Sequence, residues 1–226
     1  SGAGSFDNKI KKYINEDLCW LIPEPNAPLD DDEIGILIDK SNEIIQASMN
    51  NEELLFSNKK LVSFNKYTAA ICVKIMIFSG ISWDCIKRLE LDAINTELNT
   101  IMINRFLLHM PIELSKQMKD YVRIRDGVKT ESTKLFVRSS GKELGGTCAL
   151  ESVLKEIDRE DTRGIIKYTI INMIRANIGQ HLIMELTEVG DIVYNHCLSV
   201  VNGEGMVENT RIIDSKLRSI SIFDLL

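Results

Sequence analysis

The chain has 226 residues, of which 44% are hydrophobic and 27% are charged, with a formal net charge of −6. These proportions are typical of a soluble globular domain, and the net acidity alone argues mildly against a nucleic-acid partner. No apolar run approaches the ~18 residues of a membrane-spanning helix and no signal-peptide pattern is present, so we expect no membrane partner and a cytoplasmic location.

The N-terminal region does not read as part of the main domain. Residues 1–5, SGAGS, are interpreted as a cloning scar. Residues 6–28 are predicted to be a linker or the end of an upstream domain, because the prolines of PEPNAP (23–28) exclude regular structure. Residues 29–226 are predicted to form one domain with a C-terminal tail.

The first two helices have clear end signals. The segment LDDDEIGILIDKSNEIIQASM (29–49) is predicted to be helical, because Asp30 can cap it and Glu33 completes a capping box. The segment KLVSFNKYTAAICVKIMIFSG (60–80) is predicted to be a more buried helix that ends at Gly80, a residue typical of helix C-termini.

The middle of the chain contains the predicted β-structure. After a short helix at 82–91, the β-type runs TIMIN (100–104) and LLHMPI (107–112) are almost adjacent and predict a hairpin. A helix is predicted at 113–126, and a strand followed by a glycine turn at 134–146. Further helices are predicted at about 147–159, 167–187, 188–199 and 207–220. The predicted class is therefore mostly α with a small antiparallel β-sheet.

The segment INMIRANIGQHLI (171–183) raises a question of charge burial. Its apolar stripe consists of Ile171, Ile174, Ile178 and Leu182. Arg175 follows Ile171 by four residues and is expected to lie on or beside this inward face. Since a buried unpaired charge is costly, Arg175 is predicted to have a carboxylate, backbone carbonyls or an anionic ligand as its partner.

No local motif identifies an enzyme. The cysteines at positions 19, 72, 85, 148 and 197 contain no CxxC pair, and their odd number argues against a disulfide framework. The histidines at positions 109, 181 and 196 lack metal-binding spacing, so no metal or cofactor is predicted. The segment GKELGG (141–146) lacks the GK[ST] of a phosphate-binding loop and predicts a turn, and no serine lies in a GxSxG elbow.

Five segments taken together carry a family resemblance. They are PLDDDEIGILIDK (28–40), IMIFSGISWDCIKRLELDAIN (75–95), MPIELSKQMKDYV (110–122), LFVRSSGKEL (135–144) and NMIRANIGQHLI (172–183). In this order and spacing they resemble the C-terminal catalytic domain of the tyrosine recombinase (phage integrase) family over about residues 29–200. The resemblance implies the recombinase catalytic-domain fold.

The family's catalytic set is only partly present. In the family, a tyrosine attacks a DNA phosphodiester, while two arginines, a lysine and histidines stabilise charge and transfer protons. By this resemblance the first arginine aligns with Ser82 and the nearby glutamate with Cys85. The histidine of the HxxR box aligns with Asn172, whereas its arginine is retained as Arg175. The hairpin lysine has no counterpart, and Arg105 is the only basic residue in the shortened hairpin.

The nucleophile is also missing from its expected place. The second histidine aligns near Leu198, with His196 as a loose candidate. The nucleophile is expected some thirty residues after Arg175, but the last tyrosine of the chain is Tyr194, which is interpreted as a packing residue. The resemblance therefore implies a catalytically inactive domain with no catalytic residues. A divergent active recombinase with an unconventional nucleophile is the alternative from the enzyme class.

An inactive recombinase domain can still bind DNA, because most of the affinity for DNA comes from phosphate contacts. The resemblance implies double-stranded operator DNA as the partner, with Arg175 and Asn172 as candidate contacts. The further candidates are the basic residues Arg105, Lys87, Arg88, Lys134, Arg138, Lys142 and Lys167. Each of these could instead be a solvated side chain, and Arg175 could have an internal partner. A protein-interaction module without DNA binding is a third reading.

The C-terminal tail and the amino-acid usage bear on self-association and on the source of the protein. The tail ENTRIIDSKLRSISIFDLL (208–226) is amphipathic. In the resembled family the C-terminal segment often docks on a neighbouring protomer, so the resemblance implies a homo-oligomer, with docking on its own domain as the alternative. Usage rich in Ile, Lys and Asn indicates an AT-rich source, such as a low-GC bacterium or its phage. With its pattern of catalytic losses, the chain resembles the integrase-like master repressors of SPbeta-type Bacillus phages. This implies a transcriptional repressor that maintains lysogeny in the bacterial host.

Overall fold

Helices make up most of the computed structural model, which describes residues 27–56, 63–147, 150–158 and 162–204. The helices are α1 (Asp31–Met49), α2 (Phe64–Ser79), α3 (Trp83–Arg88), α4 (Ile112–Arg125), α5 (Glu151–Leu154), α6 (Arg163–Arg175), α7 (Gln180–Thr187) and α8 (Asp191–Glu204). The strands are β1 (Ile94–Asn95), β2 (Thr100–Ile103) and β3 (Phe106–His109), and 3-10 turns cover Glu52–Leu54, Leu91–Ala93 and Lys155–Ile157. The predicted class, mostly α with a small antiparallel sheet, is confirmed.

The predicted end signals of the first two helices are confirmed. Asp30 Oδ1 accepts a hydrogen bond from Glu33 N at 2.8 Å, and Glu33 Oε2 accepts one from Asp30 N at 3.1 Å. α2 ends at Gly80, whose φ of 70° is a left-handed conformation. A Cβ on Gly80 would lie 3.2 Å from Thr187 Cγ2 and 3.3 Å from Thr169 Cβ, so glycine also allows α2 to approach α6 and α7 closely.

The core is built around α2, against which α1, α4 and α6 pack. Ile71 and Ile75 of α2 are fully buried together with Leu37 of α1 and Ile170 of α6. Burial on several sides explains why the α2 sequence is apolar almost all round rather than along one stripe. An aromatic cluster joins α2 to α4 and to the segment that follows α4, with ring centroids 5.1–6.5 Å apart, and consists of Phe64, Tyr67, Tyr121 and Phe136.

The predicted hairpin is present, and a short third strand extends it. β2 and β3 pair antiparallel through Ile103 and Phe106, with Asn104 and Arg105 as the turn. β1 adds to the other edge of β2, so the sheet order is β1-β2-β3. Ile103 is buried and Met102 is exposed, as expected for a sheet with only one face on the core.

The single helix predicted at 167–187 is wrong, because the chain breaks there into α6 and α7. Asn177 has a φ of 59°, and its N–H donates to the carbonyl of Ile174 at 2.9 Å. The N–H of Ile178 donates to the carbonyl of Met173 at 3.0 Å, so the last carbonyls of α6 are satisfied by the turn. As a result Ile178 is 41% exposed and Leu182 39% exposed, instead of extending the buried stripe of α6.

The strand predicted at 134–146 is reduced to isolated bridges around a confirmed turn. Val137 pairs with Glu143 across that turn, and Arg138 N donates to the carbonyl of Lys142 at 2.8 Å. Gly141 has a φ of 76°, and a Cβ there would lie 2.1 Å from the carbonyl oxygen of Lys129. Only glycine fits this position, which explains the turn chemistry of the segment.

The remaining differences concern helix boundaries. The helix expected at 147–159 begins at Glu151 and becomes a 3-10 turn at Lys155, and the helix expected at 188–199 is α8. The helix predicted at 207–220, the tail and most of the linker lie outside the described residues. None of the helices in the described ranges has the length and apolarity needed to cross a membrane. Over the same ranges no three His, Cys, Asp or Glu side chains could hold a metal ion.

Candidate nucleic-acid interface

Arg175 is exposed, so of the two expected placements, on or beside the inward face of its helix, the first is wrong. Arg175 is the last residue of α6 and follows the buried residue Ile171 by four positions. Its Nη1 donates to Asn172 Oδ1 at 3.3 Å, and Asn172 Nδ2 donates to the carbonyl of Tyr168 at 3.1 Å. The two candidate contacts Asn172 and Arg175 therefore lie side by side at the end of α6.

The same side of α6 is connected to the start of α1. The Tyr168 hydroxyl donates to Asp31 Oδ1 at 2.7 Å. This hydrogen bond, followed by partial burial, raises the pKa of Tyr168. The contact between Tyr168 and Asp31 therefore joins α6 to the first turn of α1.

Two further candidates, Arg88 and Arg105, are paired with carboxylates at the end of α7: Glu188 directly after the helix and Glu185 in its last turn. Arg88 Nη2 is in close contact with Glu188 Oε2, and Arg105 Nη2 lies 3.2 Å from Glu185 Oε1. The hairpin turn is held there by Asn104, whose Nδ2 donates to the carbonyls of Glu185 at 3.1 Å and Leu186 at 2.8 Å. These carbonyls belong to the last turn of α7, so Asn104 satisfies groups that the helix leaves unpaired.

Lys87 and Lys134 are also paired with carboxylates. Lys87 Nζ lies 2.5 Å from Asp84 Oδ1, and Lys134 Nζ is in hydrogen-bond contact with Glu90 Oε1. Each lysine, chiefly through its hydrogen bond, lowers the pKa of its partner carboxyl. We call Lys87, Arg88, Arg105 and Lys134 the paired cations. Any phosphate that approached one of them would have to compete with its carboxylate.

The remaining candidates, Arg138, Lys142 and Lys167, have no carboxylate partner within the part of the chain that the structure describes. Arg138 and Lys142 are exposed on the turn around Gly141, and Lys167 is half-buried on α6. The Arg138 guanidinium lies against Gly145, where a Cβ would be 3.0 Å from its Cζ. The predicted interface is therefore divided between the end of α6 and the turn after Leu135.

The positions that the resemblance assigns to catalysis carry side chains with structural contacts. Ser82 caps α3, with its Oγ accepting a hydrogen bond from Cys85 N at 3.2 Å. Cys85 is buried, which raises the pKa of its thiol. Tyr194 is only 6% exposed and packs in the core. Leu198, on the same helix α8, is partly buried and packs against that core.

Sequence reasoning missed the arginine that is in fact buried, Arg125, which is 4% exposed. Its Nε donates to the carbonyl of Leu135 at 2.9 Å, and its Nη2 donates to the carbonyl of Ser132 at 2.9 Å and to that of Lys134. Arg125 follows the buried Tyr121 by four residues, which is the spacing that was noticed for Arg175. This spacing is the sequence signal that marks Arg125.

No protein-family profile matches the sequence, and no curated protein sequence matches it. Solved structures do match. One is the XerH site-specific recombinase bound to palindromic difH substrate in a post-cleavage complex. It matches with a TM-score of 0.59 at 12% sequence identity, and the match covers 82% of this chain and 54% of that chain. The pre-cleavage complex of XerH with difH gives a TM-score of 0.54 at 13% identity, covering 76% of this chain and 51% of that chain.

The XerA recombinase also matches, with a TM-score of 0.51 at 13% identity, covering 79% of this chain and 65% of that chain. The chain thus spans about half to two thirds of the length of these recombinases. At such low identity the likeness concerns the fold alone. The described domain has the fold of a tyrosine recombinase catalytic domain, as the sequence predicted.

Proposed function

We propose that the chain is a catalytically inactive DNA-binding protein on the tyrosine recombinase fold, acting as a phage transcriptional repressor that controls lysogeny. The observation that carries this proposal is that residues at or near the expected catalytic positions make structural contacts instead. Ser82 caps a helix, Asn172 bonds within its own helix, and the last tyrosine, Tyr194, is buried. These structural contacts support the proposal that the domain is inactive.

The magnitude of the catalytic loss supports inactivity. Removing one group that stabilises transition-state charge typically lowers a rate by about 10²–10³-fold. Here Ser82 replaces an arginine and Asn172 a histidine, and no lysine is present in the hairpin. Even allowing for non-additive effects, several such losses without a nucleophile leave no useful turnover.

Binding to DNA is supported by charge and by the solved relatives. Two of these are XerH complexes with difH substrates, so the shared fold accommodates DNA in that protein. On this chain, Arg138, Lys142 and Lys167 have no carboxylate partner in the described ranges, and Arg175 with Asn172 presents donors at the end of α6. Phosphate contacts of this kind position a duplex without reading its sequence.

The repressor assignment adds a biological role to DNA binding. A protein that binds operator DNA without cleaving it can block transcription, and the residue usage indicates an AT-rich phage or bacterial source. The assignment predicts sequence preference. Selection from a pool of random duplexes should enrich one motif, and failure to enrich any motif would overturn the repressor role while leaving non-specific binding intact.

Catalysis is tested with a nicked suicide duplex that traps covalent intermediates. The full chain is incubated with the selected duplex and analysed on a denaturing gel. We expect no covalent protein–DNA band, with an active tyrosine recombinase as the positive control. A band that disappears in Tyr194→Phe or Tyr168→Phe would establish a divergent active recombinase instead.

A second candidate, a protein-interaction module without DNA binding, is favoured by the paired cations, because four of the nine predicted contacts already have carboxylate partners. Salt titration separates the two functions. DNA binding through Z phosphates gives a log–log slope of about −0.9Z. A steep slope supports DNA binding, and no measurable binding between about 50 and 200 mM salt supports the interaction module.

A further inference from the structure

A cavity of about 320 Å³ lies between α2, the start of α3 and the turn after Leu135. It is lined by Asn65, Thr68, Ala69, Trp83, Arg138, Leu144, Gly145 and Gly146. This volume is at the lower end of the range for small-molecule pockets, about 300–1,000 Å³. We call this cavity the Trp83 pocket.

The walls of the Trp83 pocket are fixed by hydrogen bonds rather than by chance packing. Trp83 Nε1 donates to the carbonyl of Gly145 at 3.0 Å, which holds the indole ring, itself only 7% exposed. On the opposite side, Ser139 N donates to Asn65 Oδ1 at 2.8 Å, which ties the turn to the first turn of α2. Pockets held in this way need little reorganisation when a ligand enters.

The lining of the Trp83 pocket combines apolar side chains with one charged side chain. Trp83, Ala69 and Leu144 provide apolar surface, including the large indole. Arg138 is the one charged residue among the lining side chains, and its guanidinium forms no side-chain hydrogen bond or ion pair with the described residues. An apolar pocket with a few convergent polar groups is the usual form of a ligand site.

The single arginine selects the charge of the ligand. A guanidinium presents a planar fork of N–H donors that matches carboxylate and phosphate groups in a bidentate manner. The apolar atoms of Trp83 and Leu144 beside it provide a wall that an apolar body can contact. A ligand with both features would satisfy the arginine and cover the apolar wall at the same time.

We propose that the Trp83 pocket binds a small ligand with a planar or apolar body and one anionic group, a carboxylate or a phosphate. The anionic group pairs with Arg138, and the body lies against Trp83 and Leu144. Arg138 is also one of the predicted DNA contacts, but binding of a small anion in this pocket needs no DNA, so the proposal does not depend on the proposed function.

The test uses NMR titrations of the full chain with three probes of one shape: phenyl phosphate, phenylacetate and neutral phenylacetamide. The chain has two tryptophans, Trp20 and Trp83, so Trp20→Phe assigns the indole N–H signal of Trp83. We expect a saturable shift of that signal with at least one anionic probe. Probes of about ten heavy atoms should bind with a Kd on the order of 1 mM.

The two anionic probes distinguish the two ligand chemistries, since the tighter one identifies carboxylate or phosphate as the natural group. Phenylacetamide should bind at least about tenfold more weakly, because it cannot pair with the guanidinium. The proposal is overturned if neither anionic probe gives a saturable shift. Equal binding of phenylacetamide would overturn the assignment of an anionic ligand.

Two variants and a matched control connect the binding to the pocket. Arg138→Ala should raise the Kd of the tighter probe at least about tenfold, whereas Lys142→Ala, a nearby cation outside the lining, should leave it within about twofold. Asn65→Asp keeps the acceptor for Ser139 N but adds a negative charge to the wall, so it should weaken the anionic probes and spare phenylacetamide. If Arg138→Ala fails to fold, Asn65→Asp decides the question, and an unchanged Kd in that variant contradicts the proposal.

Discussion

The ends of α4 and α6 have the same pattern in sequence and opposite surroundings in the structure. Each helix ends in an arginine four residues after a buried core residue, Tyr121 for Arg125 and Ile171 for Arg175. Arg125 is buried and bonded to three backbone carbonyls, whereas Arg175 is exposed beside Asn172.

The difference arises from the chain that follows each helix. After α4 the chain turns at 126–128 and returns over the helix end, so the carbonyls of Ser132 and Lys134 reach the Arg125 guanidinium. After α6 the turn at Asn177 directs the chain away into α7. One arginine is therefore held inside the fold, and the other is exposed at the end of its helix.

The largest expected effect comes from removing the buried arginine. Arg125→Ala should lower the free energy of unfolding by about 3–4 kcal/mol, because three carbonyls lose this donor and a cavity is left in the core. Of the three, the carbonyl of Leu135 keeps the Tyr121 hydroxyl as a donor at 3.4 Å. Arg125→Lys should lower it by about 2 kcal/mol, since one ammonium cannot reach all three carbonyls. Urea unfolding followed by circular dichroism measures both.

The matched control for this prediction is Arg175→Ala, which should change the free energy of unfolding by less than about 1 kcal/mol. The comparison between the two arginines fails if both alanine variants lose similar stability. In that case Arg175 would be structural, and its candidacy as a DNA contact would be removed.

The second effect concerns DNA affinity. On the selected duplex, Arg175→Ala should weaken binding about fivefold to tenfold at 0.1 M salt and reduce the log–log salt slope by about 0.9, the value for one phosphate contact. Arg105→Ala should change binding by less than about twofold, because Glu185 already neutralises that guanidinium. Equal losses of DNA affinity in the two variants would show that the ion pair with Glu185 does not prevent Arg105 from contacting DNA.

The third effect concerns the turn that separates α6 from α7. Asn177→Ala should lower the free energy of unfolding by about 1 kcal/mol, because alanine is disfavoured at a φ of 59°. Asn177→Gly should lie within about 0.5 kcal/mol of wild type. Thermal unfolding compares the variants, and an Asn177→Ala protein as stable as Asn177→Gly would mean that α6 and α7 tolerate a different connection.

The smallest effect is the pH dependence of the Tyr168–Asp31 contact. Because the folded pKa of Tyr168 is raised, its contribution is complete below the unfolded pKa of about 10 and is lost as the pH rises through the folded pKa. Tyr168→Phe should therefore reduce stability by about 0.5–1 kcal/mol at pH 7. The difference from wild type should shrink above pH 10, and a difference that grows with pH would contradict the assignment.

Local signals in the sequence predicted most of the secondary structure. The capping box at Asp30 and Glu33, the glycine end of α2 and the close spacing of the hairpin strands each depend on neighbouring residues, and the structure confirms all three. The break after Arg175 was missed because the left-handed residue is Asn177 rather than glycine, while the apolar spacing continues through it.

The surroundings of the candidate site residues could not be predicted in the same way. Arg88 and Glu188 are 100 residues apart in sequence, and Arg105 and Asn104 meet the end of α7 only after folding. Such partners depend on how α3, the hairpin and α7 pack against one another. The spacing of residues along one helix contains no information about that packing. The sequence identified which residues carry charge, and only the fold identifies which charges are already neutralised.

The contact between the hairpin turn and α7 has a mechanical consequence. Asn104 grips two carbonyls in the last turn of α7, and Thr187 of that turn lies against Gly80 at the end of α2. The hairpin turn, the end of α7 and the junction of α2 with α3 are therefore joined by continuous contacts. A substitution in the hairpin turn is expected to alter the packing at Gly80, although the two positions are distant in sequence.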